Sequence, residues 1–402
     1  MVQIINSTFK NHLVSLPTTD HFSLPSPDFL RKKILIKVKY VDPKKAVAKA
    51  EKPEASLKVP HLSRKTSASS VASSALSSSD NDTSNTKKEK KKKQPSIIPA
   101  LSALGIYTRS YHFSSLSSPD ALVPTHVFSL SEKKLMEVHQ SSGPTLFSHN
   151  KNFLMRAFPS GLRVRSDNLD PSVFWRKGVQ IVALNWQRWD EGMMLNEAMF
   201  NGSAGWVLKP EGYLGDLVPR GSRQASGPKA GEIKGIGQES QADATHRRTL
   251  SLSVTVLAAQ DLPLPPELRH AHSFHPYLKI ELHVEKPSER DGATIDKDGK
   301  SKDNDDEDNK YKHTLKPGGK GHTEMDFAAA RIEFKEVPGV VEELSFLRFK
   351  VQNDEFGKDA MAAWSCIRLD RLRQGYRLIR LLDAEGKPGT GALLVGINKV
   401  LT

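Results

Sequence analysis

The apolar positions of this chain fall into three ordered stretches separated by polar tracts. In the first, residues 1–41, Ile4, Ile5, Phe9 and Leu13 recur at helical spacing. A turn through Leu24-Pro25-Ser26-Pro27 follows, and the run from Lys33 to Tyr40, with Ile34, Leu35, Ile36 and Val38, predicts a buried strand. In the second, residues 105–216, Leu135, Met136 and Val138 mark an amphipathic helix. Asp170-Pro171 supplies a helix cap and first-turn proline before Phe174 and Trp175, and Val179 to Trp186 predicts a strand. Strands alternating with helices predict an α/β layer. The third stretch, residues 248–402, changes period. LSLSVTVLAA, YLKIELHVE, ARIEF, LSFLRFKVQ, YRLIRLL and GALLVGINKV are short alternating runs that predict an antiparallel β-sandwich.

The tracts between them have few large apolar groups to offset the entropy of ordering. Residues 42–104 carry SASSVASSALSSS and KKEKKKK and read as a disordered linker; residues 217–247 read as a flexible one. Residues 285–326, with DKDGKSKDNDDEDNK, read as a disordered insertion looping out of the sandwich. Composition agrees: 37% apolar residues in 402 suffice for cores in part of the chain.

Lysine and arginine outnumber aspartate and glutamate by 59 to 46, a formal charge of +13 that favours anionic partners: phosphoinositide head groups, acidic membrane or nucleic acid. Nucleic acid is the weakest of these, because the basic runs lack interleaved stacking aromatics. Cys366 is the single cysteine, which excludes an internal disulfide and a cysteine-based zinc cluster and predicts a reduced, cytoplasmic setting. No stretch reaches the roughly 18 apolar residues of a spanning helix, so membrane contact is expected to be peripheral. The acidic tract at Asp296, Asp298 and Gly299 offers no register with the glycine and glutamate of an EF-hand. Asn201-Gly202-Ser203-Ala204-Gly205 falls one glycine short of a nucleophile elbow.

Several uncommon residue combinations occur in order. Leu24-Pro25-Ser26-Pro27-Asp28-Phe29-Leu30 to Lys37 resembles the end of the X region of eukaryotic phosphoinositide-specific phospholipase C. FSLSEKKL, HNKNFLMRAFPSGLRVRSDN, DPSVFWRKGVQIVALNWQ and NGSAGWVLKP resemble its Y region almost throughout. The final 155 or so residues resemble its C2 domain. The resemblance implies the second half of a (β/α)8 barrel, split at the first linker, followed by a C2 sandwich. It also implies calcium-dependent hydrolysis of phosphatidylinositol 4,5-bisphosphate to diacylglycerol and inositol trisphosphate at a membrane surface.

Carried over by motif, Lys37, Lys39, Ser129 and Arg156 would bind the phosphates of the inositol head group. Phe158, where the family usually has tyrosine, keeps a ring to stack on the inositol and loses the hydroxyl. The general-base histidine, the phosphate-stabilising histidine and the catalytic calcium ligands belong to earlier strands of the family's barrel and have no counterpart in this sequence. His149-Asn150 lies within the Y-like motif and reads as structural; His12, His21, His112, His126 and His139 lack a carboxylate at useful spacing. No catalytic residue is therefore assigned. The chain is expected to be inactive alone and to work with a complementing X-region polypeptide, or else to be a non-catalytic phosphoinositide or membrane binder. In the C2 domain, Asp261, Asp354 and Glu355 are the weak candidates for calcium ligands, because the usual Asp-Pro-Tyr reads His275-Pro276-Tyr277.

Overall fold

A computed structural model describes residues 1–14, 24–41, 97–161, 163, 165–215, 244–286, 289, 310–317, 322–354 and 359–402. Most of the two expected linkers, most of the expected insertion, and Glu355 lie outside these residues. The chain divides into two compact units, residues 1–18 with 32–110, and residues 19–31 with 111–402.

In the first unit, helix α1 (Val2–Phe9) half-buries Val2, Ile5 and Phe9, one helical face, and leaves Ile4 exposed. The expected strand of Lys33 to Tyr40 is present only in part. Ile34 makes an isolated parallel bridge to Leu13, and strand β1 (Val38–Lys39) pairs in parallel with β2 (Arg109–Tyr111), Val38 opposite Arg109. With ladder pairing confined to two residues, the apolar side chains from Ile34 to Val38 are half-buried and not enclosed. Helix α2 (Pro99–Ser102) lies inside the tract that composition assigned to linker. Its Ser102 hydroxyl accepts a 2.9 Å hydrogen bond from the Val41 amide.

The second unit opens with alternating strands and helices: β3 (His126–Ser131), α3 (Glu132–Asn152), β4 (Met155–Phe158), α4 (Pro171–Arg176), β5 (Ile181–Val182) and α5 (Glu191–Phe200). The strands β3, β4 and β5 are parallel neighbours. Phe128, Leu130, Met155 and Ala157 bury one face of this sheet with Leu135 of α3 and Phe174 of α4. Asp170 caps α4 as its sequence predicts, accepting from the Ser172 amide at 2.8 Å. Helix α3 kinks at Ser142, two residues before Pro144, which can neither donate to the helix ladder nor clear the preceding turn. The expected strand from Val179 to Trp186 contracts to Ile181–Val182 because Asn185 turns its amide to the Asn168 side chain, 2.6 Å away.

After Arg248 the fold is all antiparallel: β6 (Arg248–Gln260), β7 (Pro276–His283), β8 (Lys312–Leu315), β9 (Met325–Val340), β10 (Phe346–Asn353), β11 (Ala360–Arg368), β12 (Gly375–Asp383) and β13 (Pro388–Leu401). The strand order is β8-β7-β10-β11-β12-β13-β6-β9. Only Ala363 and Trp364 join β11 to β12, so the sheet folds there into two layers. Ile280, Phe349 and Ala363 of one layer share a core with Val254, Ile379 and Val395 of the other. The sequence runs predict six of these strands. Strand β11 is missed because its alanines and serine carry no β-branched signal, and β8, inside the expected insertion, is held by pairing with β7.

Within the second unit the sandwich packs on the α/β half through charges as well as apolar groups. Trp175, Leu195 and Met199 share a cluster with Leu344 and Phe346. Arg348 pairs with Glu191 of α5 at 2.6 Å and with Glu281 of β7, while Arg176 reaches Glu289 at 2.8 Å. Arg371 donates to the carbonyls of Ala198 and Asn201 at the end of α5. Burial opposes ionisation of Glu191, but Arg348 and then His283 overcome it and hold its carboxyl at about 2.

Candidate functional site

Period-two alternation sends the residues of β3 and β4 to opposite faces, and adjacent parallel strands share a face at paired positions. Phe128 and Met155 face the core; Ser129 and Arg156, directly paired, face away from it, as do Ser131 and Phe158 one step on. The structure therefore brings together three of the sequence-assigned residues. Ser129, Arg156 and Phe158 lie half-buried on one face, near the carboxyl ends of two adjacent parallel strands. The Arg156 guanidinium carbon stands 5.2 Å from the centre of the Phe158 ring, a cation–π contact. Burial pushes the Arg156 pKa down from its ordinary value, yet an arginine stays charged. The arrangement sets a planar cation, a serine and an aromatic ring side by side on one face of the sheet.

Lys37 and Lys39 belong to the other compact unit. Both are exposed, Lys39 within β1 opposite Ser110 and Lys37 just before it.

The supports of this face were not singled out in the sequence. Glu132, almost fully buried at the start of α3, takes a two-pronged salt bridge from Arg163, with Nε and Nη2 each at 2.7 Å. It also accepts from the Ser160 amide at 2.7 Å, so the loop leaving Phe158 is tied to the helix that follows β3. The hydrogen bond that Arg163 donates to Glu132 is the main cause raising the Arg163 pKa. Beyond that loop, Asn168 accepts from the Asn185 amide and donates to Asp190 at 3.0 Å, and Asp190 caps α5. The capping serine followed by glutamate in Ser131-Glu132 was a visible helix start, but its partner lies 31 residues away.

His149 and Asn150, which the motif context reads as structural, are both fully buried. His149 is buried between Phe128 and Phe153, with ring centres 5.8 and 5.1 Å away, and burial pushes its pKa down to about 4. Asn150 donates to the Lys177 carbonyl at 2.9 Å, and its own carbonyl accepts from Gln180 and from Lys209, each at 2.6 Å.

A calcium cage needs several oxygens free to ligate, and four carboxylates near the candidate positions are held by cations. Glu191, Glu281 and His283 place ligand atoms within 4.8 Å of one another, but Arg348 bonds both carboxylates and Lys350 holds Glu281 at 2.7 Å. At the loop end of the sandwich, Asp354 pairs with Lys316 at 2.6 Å. Asp359, which sequence reasoning passed over, accepts from the Tyr277 hydroxyl and lies 3.6 Å from Lys279. Asp261 is exposed, with its backbone at φ +50°.

Residues 101–212 match the family model for the Y domain of phosphatidylinositol-specific phospholipase C. Curated relatives bear the same stamp. The chain is 32% identical to 1-phosphatidylinositol 4,5-bisphosphate phosphodiesterase 1 of Candida albicans over 47% of its own length and 17% of that protein. It is 30% identical to the Saccharomyces cerevisiae protein of that name over 68% of its length and 30% of the relative. The human delta-1 phosphodiesterase is 29% identical over 73% of this chain and 34% of that one. The chain thus spans about a third or less of these relatives. Among solved structures, S. officinalis PLC21 superposes with a TM-score of 0.64 at 20% identity, covering all of this chain and 43% of that one. That likeness is one of fold: a partial parallel barrel followed by a C2 sandwich.

Proposed function

Residues 101–212 of this chain belong to the phosphatidylinositol-specific phospholipase C family as its Y domain, and from that premise we propose that the chain is the head-group-binding half of such an enzyme. Arg156 and Ser129 bind a phosphate of a phosphorylated inositol, and Phe158 stacks on its ring. The observation that carries this reading is the direct pairing of Ser129 with Arg156 beside Phe158 near adjacent strand ends, with the cation held over the ring. Active groups of parallel barrels gather at that end of the strands.

The substrate is phosphatidylinositol 4,5-bisphosphate at a cytoplasmic membrane surface, and hydrolysis in the presence of calcium requires an acid/base half carried by an X-region polypeptide. The disposition of the histidines supports this division. His139 and His149 are both held near 4 by burial, and His126 turns its Nδ1 to the Asp120 carbonyl and stacks on Tyr111 at 4.1 Å. His149 packs on Phe128, on the face of the sheet opposite Arg156. The same fact gives weight to a second reading, a non-catalytic phosphoinositide binder.

Release of inositol phosphates from vesicles, measured with this chain alone and mixed with a separately expressed X-region fragment, separates the two. Turnover in the mixture alone supports the half-enzyme. Turnover by the chain alone defeats the division of labour, and silence in both with retained vesicle binding leaves the binder.

A further inference from the structure

One layer of the sandwich, β7, β10 and β11, already shows how this protein holds a helix. Its outer face presents Phe346 and Cys366 to the apolar side of α5, and arginines surround that contact. Arg348 takes the acidic residue at the helix start, Arg368 touches the Met199 sulfur at 3.4 Å, and Arg371 takes the last carbonyls. The other layer, β12-β13-β6-β9, has an outer face of similar composition that no described element covers. Tyr376 and Leu378 are 73% and 65% exposed on β12, and Leu378 pairs directly with Leu394 of β13, itself 37% exposed. Tyr376 lies over Gly396, where a Cβ would meet its ring at 3.6 Å. Arg380 continues the same side of β12. Two strands further, Arg331 stands opposite Thr255 of β6, and Arg331 and Lys335 share the single carboxylate of Glu333. The face is thus an apolar strip on two strands, bordered by Arg380, Arg331 and Lys335 against Glu333 and Asp326, a basic excess of one charge.

We propose that this face docks an amphipathic helix with acidic flanks, presented by a partner polypeptide. A helix about 10 Å across covers two strands spaced about 4.8 Å apart, the width of the Tyr376, Leu378 and Leu394 strip. Its acidic flanks then meet Arg380 on one side and Arg331 with Lys335 on the other. Desolvated arginine–carboxylate pairs bordering an aromatic and two leucines have the make-up of a binding hot spot. The proposal does not rest on the phospholipase reading.

The test uses the whole chain and a fluorescent synthetic helix of about 18 residues with a leucine stripe and glutamate flanks, beside the same stripe with lysine flanks. The glutamate peptide is expected to bind at least about tenfold more tightly than the lysine peptide, and to lose about tenfold or more on Leu378→Ser or on Arg380→Glu. Both side chains are exposed, so the variants should melt with the wild type. Equal binding of both peptides, or binding untouched by either variant, overturns the proposal. So does loss, in these variants, of phosphatidylserine-vesicle binding or of concentration-dependent self-association with the peptide unbound, since either result assigns the face to a membrane or to a second copy.

Discussion

Arg156 is half-buried against the ring of Phe158, so its charge has already given up part of its hydration before any ligand arrives. A phosphate meeting it gains a charge-assisted hydrogen bond worth about 1.5–3 kcal/mol. Arg156→Ala is expected to weaken binding of inositol 1,4,5-trisphosphate by about ten- to a hundredfold, and Phe158→Ala by less than about tenfold, with unchanged melting. His149 makes a separate, measurable contribution. Its folded pKa of about 4 lies below the ordinary 6.5, so between those values the unfolded chain takes up a proton that the folded chain refuses. Stability from this residue is complete above about pH 6.5 and declines as pH falls toward 4, by about 3 kcal/mol. Melting temperature followed across that range should drop in the wild type and drop less in His149→Gln. Residues like Arg156 and Phe158 were legible in the sequence because they sit in rare local combinations. Glu132 and Arg163 were not, because only the fold brings their separate charges together.

At the scale of elements, the contact between the α/β half and the sandwich depends on Arg348. Its partner Glu281 is buried, and Arg348→Leu leaves that carboxylate with Lys350 and His283 alone. Breaking a buried pair costs about 3–5 kcal/mol, and the retained lysine places the expected loss at the lower end. Thermal or urea unfolding should report it, with tryptophan signals from both halves shifting together; a loss under about 1 kcal/mol would show the network to be solvated. Gly192 is a tighter constraint. A Cβ there would lie 2.4 Å from the Leu169 carbonyl oxygen, so Gly192→Ala should destabilise the start of α5, although alanine is the better helix former. The sequence predicted most of the sandwich strands, because alternation survives without knowledge of neighbours. Strand β11 escaped for the same reason: Ala362 and Ala363 are buried by tertiary packing and not by their own propensity. The expected strand around Val179 was too long because a side-chain acceptor on Asn168 competes with the ladder.

For the whole molecule, the order of α/β stretch followed by sandwich was legible from the motifs, and the solved-structure likeness carries that fold. The lysine-countered aspartates at the sandwich end were not legible, since only the fold brings Lys316 to Asp354 and Lys279 to Asp359. Lys316→Gln combined with Lys279→Gln is expected to raise the chain's melting temperature in millimolar calcium where the wild type is unmoved, by freeing Asp354 and Asp359 to act as ligands. The most direct measurement of the central claim is calorimetric titration of inositol 1,4,5-trisphosphate into the chain and into its Arg156→Ala variant. Saturable binding that weakens with salt and falls by about tenfold or more in the variant is expected. Equal affinity in the two proteins, or no binding to the wild type, would contradict it.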